Sequence, residues 1–357
     1  MSIRKKVITA VISSAAIALT AFASVPTASA ATGFVGVILP DSVSSPRWET
    51  YDHPDLQKAF DALKVPVKIQ NANGDKTQFQ TIADQMLTAG AKVLVLAGLD
   101  ADTTIAVQNK AKAQGVPTID YDRLTLKGSE SFYVSFDNVK VGQLEGKGIA
   151  NCLRAAGKNK ANIVYLNGSP TDNNATLFKQ GYDSVMRPAI KAGRYKLLAD
   201  QAVPGWDPVQ GATIFEQMFT KAKGKIDAVV AANEGLGLAA VSILAKNGLN
   251  GKVCVDGQDA SNEGLAAVLK GDLTVTIWKP YTVEANAAAY AAAGLFNGTT
   301  VKTQGTVDNG TSKVPAVLGV PIAVTKANVK DVIKSGQTTR ADVCKIASEA
   351  VCKANGI

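Results

Sequence analysis

The stretch "NIVYLNGSPTDNNA" (162–175) holds an apolar β-branched run, a turn crowded with polar groups, and the first residues of a helical pattern. Gly168 and Pro170 end the strand, and Asp172 or Asn173 suits the helix start, where a side-chain oxygen accepts from first-turn N–H groups. The same polar residues, at the carboxyl end of a strand, could wall a ligand pocket. The rest of the chain decides between cap and pocket.

Working outward, the unit repeats. Strand-like runs at 33–39, 65–70, 92–97, 116–121 and 132–136 flank helical spacing at 49–63, 75–89 and 102–114. A second set follows: helix 139–156, "NIVYL", helix 174–191, strand 196–200, helix 208–222, strand 226–232, helix 236–247, strand 252–256, helix 261–270 and strand 274–278. Apolar strands alternating with helices mean βαβ units, hence parallel sheets covered on both faces. Two such sets predict an α/β chain of two doubly wound parallel-sheet lobes with a cleft between them. A helix at 282–298, a strand "VLGVPIAV" (317–324) and a tail complete the reading.

The first thirty residues are set aside. A basic start (Arg4, Lys5, Lys6), a small apolar core and "ASA" at 28–30 predict a secretory signal peptide cleaved after Ala30. No Cys follows that position until Cys152, so a lipid anchor at the new N-terminus is not expected. The net charge of +8 drops to +5 without the leader's three cations. The remaining basic residues are dispersed, which argues against a nucleic-acid partner. Four cysteines bound for an oxidising compartment allow three disulfide pairings. The reading favours Cys152–Cys254 with Cys344–Cys352, the latter requiring a helix break between them. With His53 the single histidine and no CxxC spacing, neither a metal nor a cofactor is expected.

If strand ends face the cleft, they should carry the function. They deliver Arg47 and Trp48; Asp120, Asp122 and Arg123; Asp172, Asn173 and Asn174; Trp206 and Asp207; Asn233 and Glu234; Gln258 and Asp259; and Lys279. Asp207, before Pro208, reads as a helix cap. The remainder suits a sugar: planar carboxylate, carboxamide and guanidinium groups engage neighbouring hydroxyls, and indoles cover the apolar faces of the ring.

"RW" (47–48), "NANGD" (71–75), "YDR" (121–123), "SFDNVKVG" (135–142), "GSPTDNNA" (168–175), "GW" (205–206), "DAVVAANE" (227–234), "GQDA" (257–260) and "WKP" (278–280) resemble the xylose-binding branch of the type I periplasmic binding proteins of ABC sugar importers, over roughly 33–335. The resemblance implies a Venus-flytrap fold with three crossovers, near 137–138, 279–280 and 308. One lobe would hold 31–137 and 280–308, the other 138–279 and 309–340, with 341–357 as a tail. It implies sugar contacts at Arg47, Trp48, Asp122, Arg123, Asp172, Asn174, Trp206, Asn233, Asp259 and Lys279. The implied partners are a monosaccharide (xylose, or glucose or arabinose) and a membrane permease, with the protein a monomer and not an enzyme. "NE" at 233–234 stands where the family has "ND". The competing reading is a secreted NAD-dependent oxidoreductase, because Gly235, Gly237 and Ala240 follow a strand with dinucleotide-fold spacing.

Overall fold

The computed structural model describes residues 33–357, so the expected leader at 1–30 lies outside the described residues. The chain opens with β1 (Phe34–Leu39), α1 (His53–Leu63), β2 (Val67–Asn71), α2 (Lys76–Thr88), β3 (Ala91–Leu96), α3 (Ala101–Ala113), β4 (Thr118–Tyr121) and β5 (Phe132–Phe136). It continues through α4 (Asn138–Ala155), β6 (Ala161–Asn167), α5 (Asn173–Lys191), β7 (Tyr195–Ala202), α6 (Pro208–Lys221), β8 (Ala228–Ala231), α7 (Glu234–Lys246), β9 (Cys254–Gln258), α8 (Asn262–Lys270) and β10 (Val275–Trp278). Then come α9 (Tyr281–Phe296), β11 (Gly305–Asp308), β12 (Lys313–Gly319), β13 (Ile322–Val324), α10 (Val329–Ser335), α11 (Arg340–Ala347) and α12 (Glu349–Ala354).

Two sheets result. The first runs β11-β12-β5-β4-β3-β1-β2 and the second β13-β10-β9-β8-β6-β7. Every pairing is parallel except the edge strands β11 on β12 and β13 on β10. Central strands such as β1 and β6 are buried nearly throughout, as helices on both faces require, whereas edge strand β2 alternates between exposed and half-buried positions. Asp75, Asp100, Asp137, Asp172, Asp207, Asn233 and Ser261 each cap the helix that follows them. Much of the polar enrichment at strand ends therefore has a local cause.

Among the described residues the chain passes between sheets three times, at Asp137, at Lys279–Pro280 and at Val320–Pro321. The third passage lies beyond the expected position near 308. "VLGVPIAV" is not one strand: β12 pairs in parallel with β5, Ala316 opposite Tyr133, and its Val314 and Ala316 are buried with Leu124. Residues 313–319 thus belong to the first lobe. Nor is 341–357 a separate tail, because Val343, Cys344, Ala347 and Cys352 are buried in the core of the second lobe.

Both disulfides have the favoured pairing, Cys152–Cys254 and Cys344–Cys352. Ser348, at φ 85°, breaks the helix between α11 and α12 and brings the Cα atoms of Cys344 and Cys352 to 5.8 Å. The first bond ties α4 to β9. α4 also lies hard against α5: a Cβ on Gly142 would stand 2.0 Å from the carbonyl oxygen of Phe178, and one on Gly181 2.2 Å from that of Val139. This contact fixes the start of α4, at a crossover, relative to the start of α5, at the cleft.

Candidate functional site

The loop after β1 is drawn into the cleft by Asp41, which accepts from Val43 N at 2.8 Å, Ser44 N at 2.6 Å and Ser44 Oγ at 2.8 Å. A π-helical turn, Trp48–Asp52, replaces the first turn expected of the helix at 49–63, and Arg47 and Trp48 at its start are both 2 % exposed. Arg47 donates to Asp52 through Nε and Nη2 at 2.7 Å each, to Glu284 at 2.8 Å and to Asp122 at 2.6 Å. Its guanidinium lies 4.4 Å from the ring centroids of both Trp48 and Tyr281. Burial opposes its charge, but Asp122, Asp52 and Glu284 outweigh that and raise its pKa well above the ordinary value. With four of about five N–H directions committed to carboxylates, Arg47 chiefly organises the site and its contact capacity is small.

Asp122 is the hub. At φ 63° it turns off the end of β4 and receives Arg47, Asn174 Nδ2 at 3.0 Å and, at 3.8 Å, Lys279. Burial alone would raise its pKa; Arg47, Lys279 and Arg123 hold it at about 2. Asn174 is itself aimed by Asn138, whose Nδ2 donates to its Oδ1 at 2.8 Å. Arg123 donates to the Gly98 carbonyl at 3.0 Å and pairs with Asp172 at 3.1 Å.

Asp172 answers the question raised by its own stretch, because it does both jobs. One oxygen accepts from Asn174 N at 2.9 Å as the cap of α5, and the other accepts from Trp206 Nε1 at 3.1 Å and faces Arg123. Burial raises its pKa against the pull of Arg123. Trp206 sits at φ 58° with its ring pressed on Gly168, where a Cβ would stand 1.9 Å from the indole. Asn233 caps α7 through Oδ1 and donates from Nδ2 to the Ser44 carbonyl at 3.1 Å. Asp259 accepts from Ser45 Oγ at 2.8 Å and pairs with Lys279 at 3.1 Å.

Glu234, the departure from the family pattern, points away from the cavity. It accepts from Ala260 N and Ser261 N at 2.9 Å each, and from the hydroxyls of Ser261 and Thr276. Burial and the charge of Asp259 push its pKa up to about 8 against those donors. It holds the turn that presents Asp259, whose φ is 129°.

All ten residues selected from sequence line one cavity with an empty volume of about 310 Å³, together with Ser44, Ser45, Phe178 and Gln258. Ser44 and Ser45 gave no sequence signal beyond a polar loop, and Phe178 looks like any core residue of α5. Gln258 stands at a strand end beside Asp259, and sequence gives no ground for preferring it to that neighbour. The glycine motif has another use: a Cβ on Gly237 would lie 2.5 Å from the Asp256 carbonyl, so that glycine allows α7 to pack on β9. Among the described residues no cluster of His, Cys, Asp and Glu is arranged to hold a metal, and no helix is long and apolar enough to cross a membrane.

Comparison with known proteins agrees with this architecture. Residues 35–300 match the periplasmic binding protein domain. The chain is 37% identical over 297 residues to the D-xylose-binding periplasmic protein of Escherichia coli, covering 83% of this chain and 88% of that one. It is 31% identical to the multiple sugar-binding periplasmic receptor ChvE of Rhizobium radiobacter, covering 95% and 100%. A Clostridium phytofermentans ABC transporter solute-binding protein, solved with bound β-D-glucose, superposes with a TM-score of 0.80 at 26% identity, covering 87% of this chain and 99% of that one. The chain therefore belongs to the periplasmic binding protein family, in its two-lobed type I form.

Proposed function

We propose that the exported protein captures one pyranose between its lobes, D-xylose before glucose or arabinose, and delivers it to the membrane permease of an ABC importer. The carrying observation is the convergence of ten strand-end residues, drawn from both lobes, on one polar cavity flanked by the indoles of Trp48 and Trp206. D-xylose is preferred because the relatives at 37% and 35% identity are D-xylose-binding proteins. The family consists of solute-binding proteins, and an oxidoreductase reading has no support in the use of Gly237. Sugar would bridge groups that are solvated when the lobes part, and so favour the closed arrangement that a permease recognises.

The test is calorimetric titration of the purified exported protein with xylose, glucose, galactose, arabinose and ribose, with tryptophan fluorescence recorded in parallel. Xylose should bind most tightly and perturb the emission. Absence of saturable binding to any of the five below roughly millimolar would sink the proposal.

A further inference from the structure

Gln258 lies at the end of β9, is 4% exposed and lines the cavity. Its Oε1 is buried and has no hydrogen-bond partner among the described residues. Its polar neighbours in the cavity wall are each held by protein: Asn174 by Asn138 and Asp122, Asn233 by Leu236 N and Ser44, Asp172 by Trp206 and Arg123, and Asp259 by Ser45 and Lys279. A buried acceptor without a partner is a standing cost to the fold, because it has given up water and gained nothing. Retaining it on a cavity wall makes sense when something enters the cavity to satisfy it.

Resting on the sugar-binding reading above, we infer that Gln258 is a specificity-determining residue that reads one hydroxyl of the bound pyranose. The carboxamide suits this: it offers a donor and an acceptor side by side, and a half-turn of its terminal bond exchanges them. It is also uncharged, so it discriminates by hydroxyl geometry with little dependence on pH, and unlike the carboxamides of Asn174 and Asn233 its oxygen is not already engaged. Asp122, Asp172 and Asp259 have much of their capacity engaged before sugar arrives. Gln258 has its acceptor in reserve.

The test compares wild type with Gln258→Met, which keeps length and shape, and with Gln258→Leu as a second variant in case the first packs poorly. Both are titrated with D-xylose and with its 2-, 3- and 4-deoxy analogues, and both are melted thermally. The expected result is a roughly tenfold loss of D-xylose affinity with an unchanged or higher Tm. One deoxy analogue should bind wild type and variant equally, because the hydroxyl that Gln258 reads is already missing. Wild-type affinity for D-xylose in both variants overturns the inference. So does an equal loss for D-xylose and all three analogues, the signature of general damage to the wall. Wild type binding none of these sugars would instead bring down the sugar-binding reading on which the inference stands.

Discussion

Asp172 separates capping from the proposed recognition, because its two oxygens face different partners. Asn is as good a helix cap as Asp, so Asp172→Asn should leave Tm nearly unchanged while removing the charge opposite Arg123. Sugar affinity should fall by roughly 10-fold or more, the worth of a charge-assisted hydrogen bond of about 1.5–3 kcal/mol. Asp172→Ala should show that loss and, in addition, about 1 kcal/mol of stability from the missing cap. Calorimetry read beside thermal melting distinguishes them; equal Tm values for the two variants would contradict the dual role. That the ten residues would share one cavity was legible because each stands past the carboxyl end of a strand. How they divide the work was not. That Arg47 is largely committed to Asp52, Glu284 and Asp122 depends on partners 5, 237 and 75 positions away, and no local pattern records such distances.

Helix α4 begins at a crossover, lies against α5 through Gly142 and Gly181, and is bonded to β9 through Cys152. The obstacle at Gly142 is the Phe178 backbone, which cannot rotate aside. Gly142→Ala should destabilise by about 1–3 kcal/mol and shift Asn138 away from Asn174, so that sugar affinity falls with Tm; an affinity left intact would detach the helix contact from the site. At this scale periodicity served well, and most strands and helices lie within a few residues of their expected bounds. It failed where another cause governs the element. β11 is a short strand with most of its positions exposed, so little apolar alternation marks the start of the hairpin it forms with β12. The run at 317–324 looks continuous because both of its halves are apolar, and Pro321 was the sole sign that it serves two sheets.

Across the whole molecule, buried acids dominate the response to pH. Burial pushes Asp256 up to about 8, and burial together with Asp256 raises Glu145 well above the usual carboxyl range. Unfolded carboxyls lose their protons near pH 4, so from about pH 4 to about 8 the folded chain holds more protons than the unfolded one. Stability contributed by these groups therefore falls as pH rises through that window. Asp122, held at about 2, acts the other way: its contribution is full above about 4 and is lost as pH falls toward 2. Tm should decline between pH 5 and pH 8, and the decline should shrink in Asp256→Asn, whose amide oxygen can still accept from Ala231 N; a Tm that climbs over that range would refute the assignment. The disulfides set a second dependence. Closing a separation of 102 residues restricts the unfolded chain by an amount worth about 4–5 kcal/mol in the chain-entropy view, so dithiothreitol should lower Tm markedly. A bond that forms only in an oxidising compartment also orders events in time. Under the export proposed above, the polypeptide before translocation is the weaker-folding, threadable version of itself; afterwards the Cys152–Cys254 link acts as a ratchet, stabilising the second lobe only on the far side of the membrane.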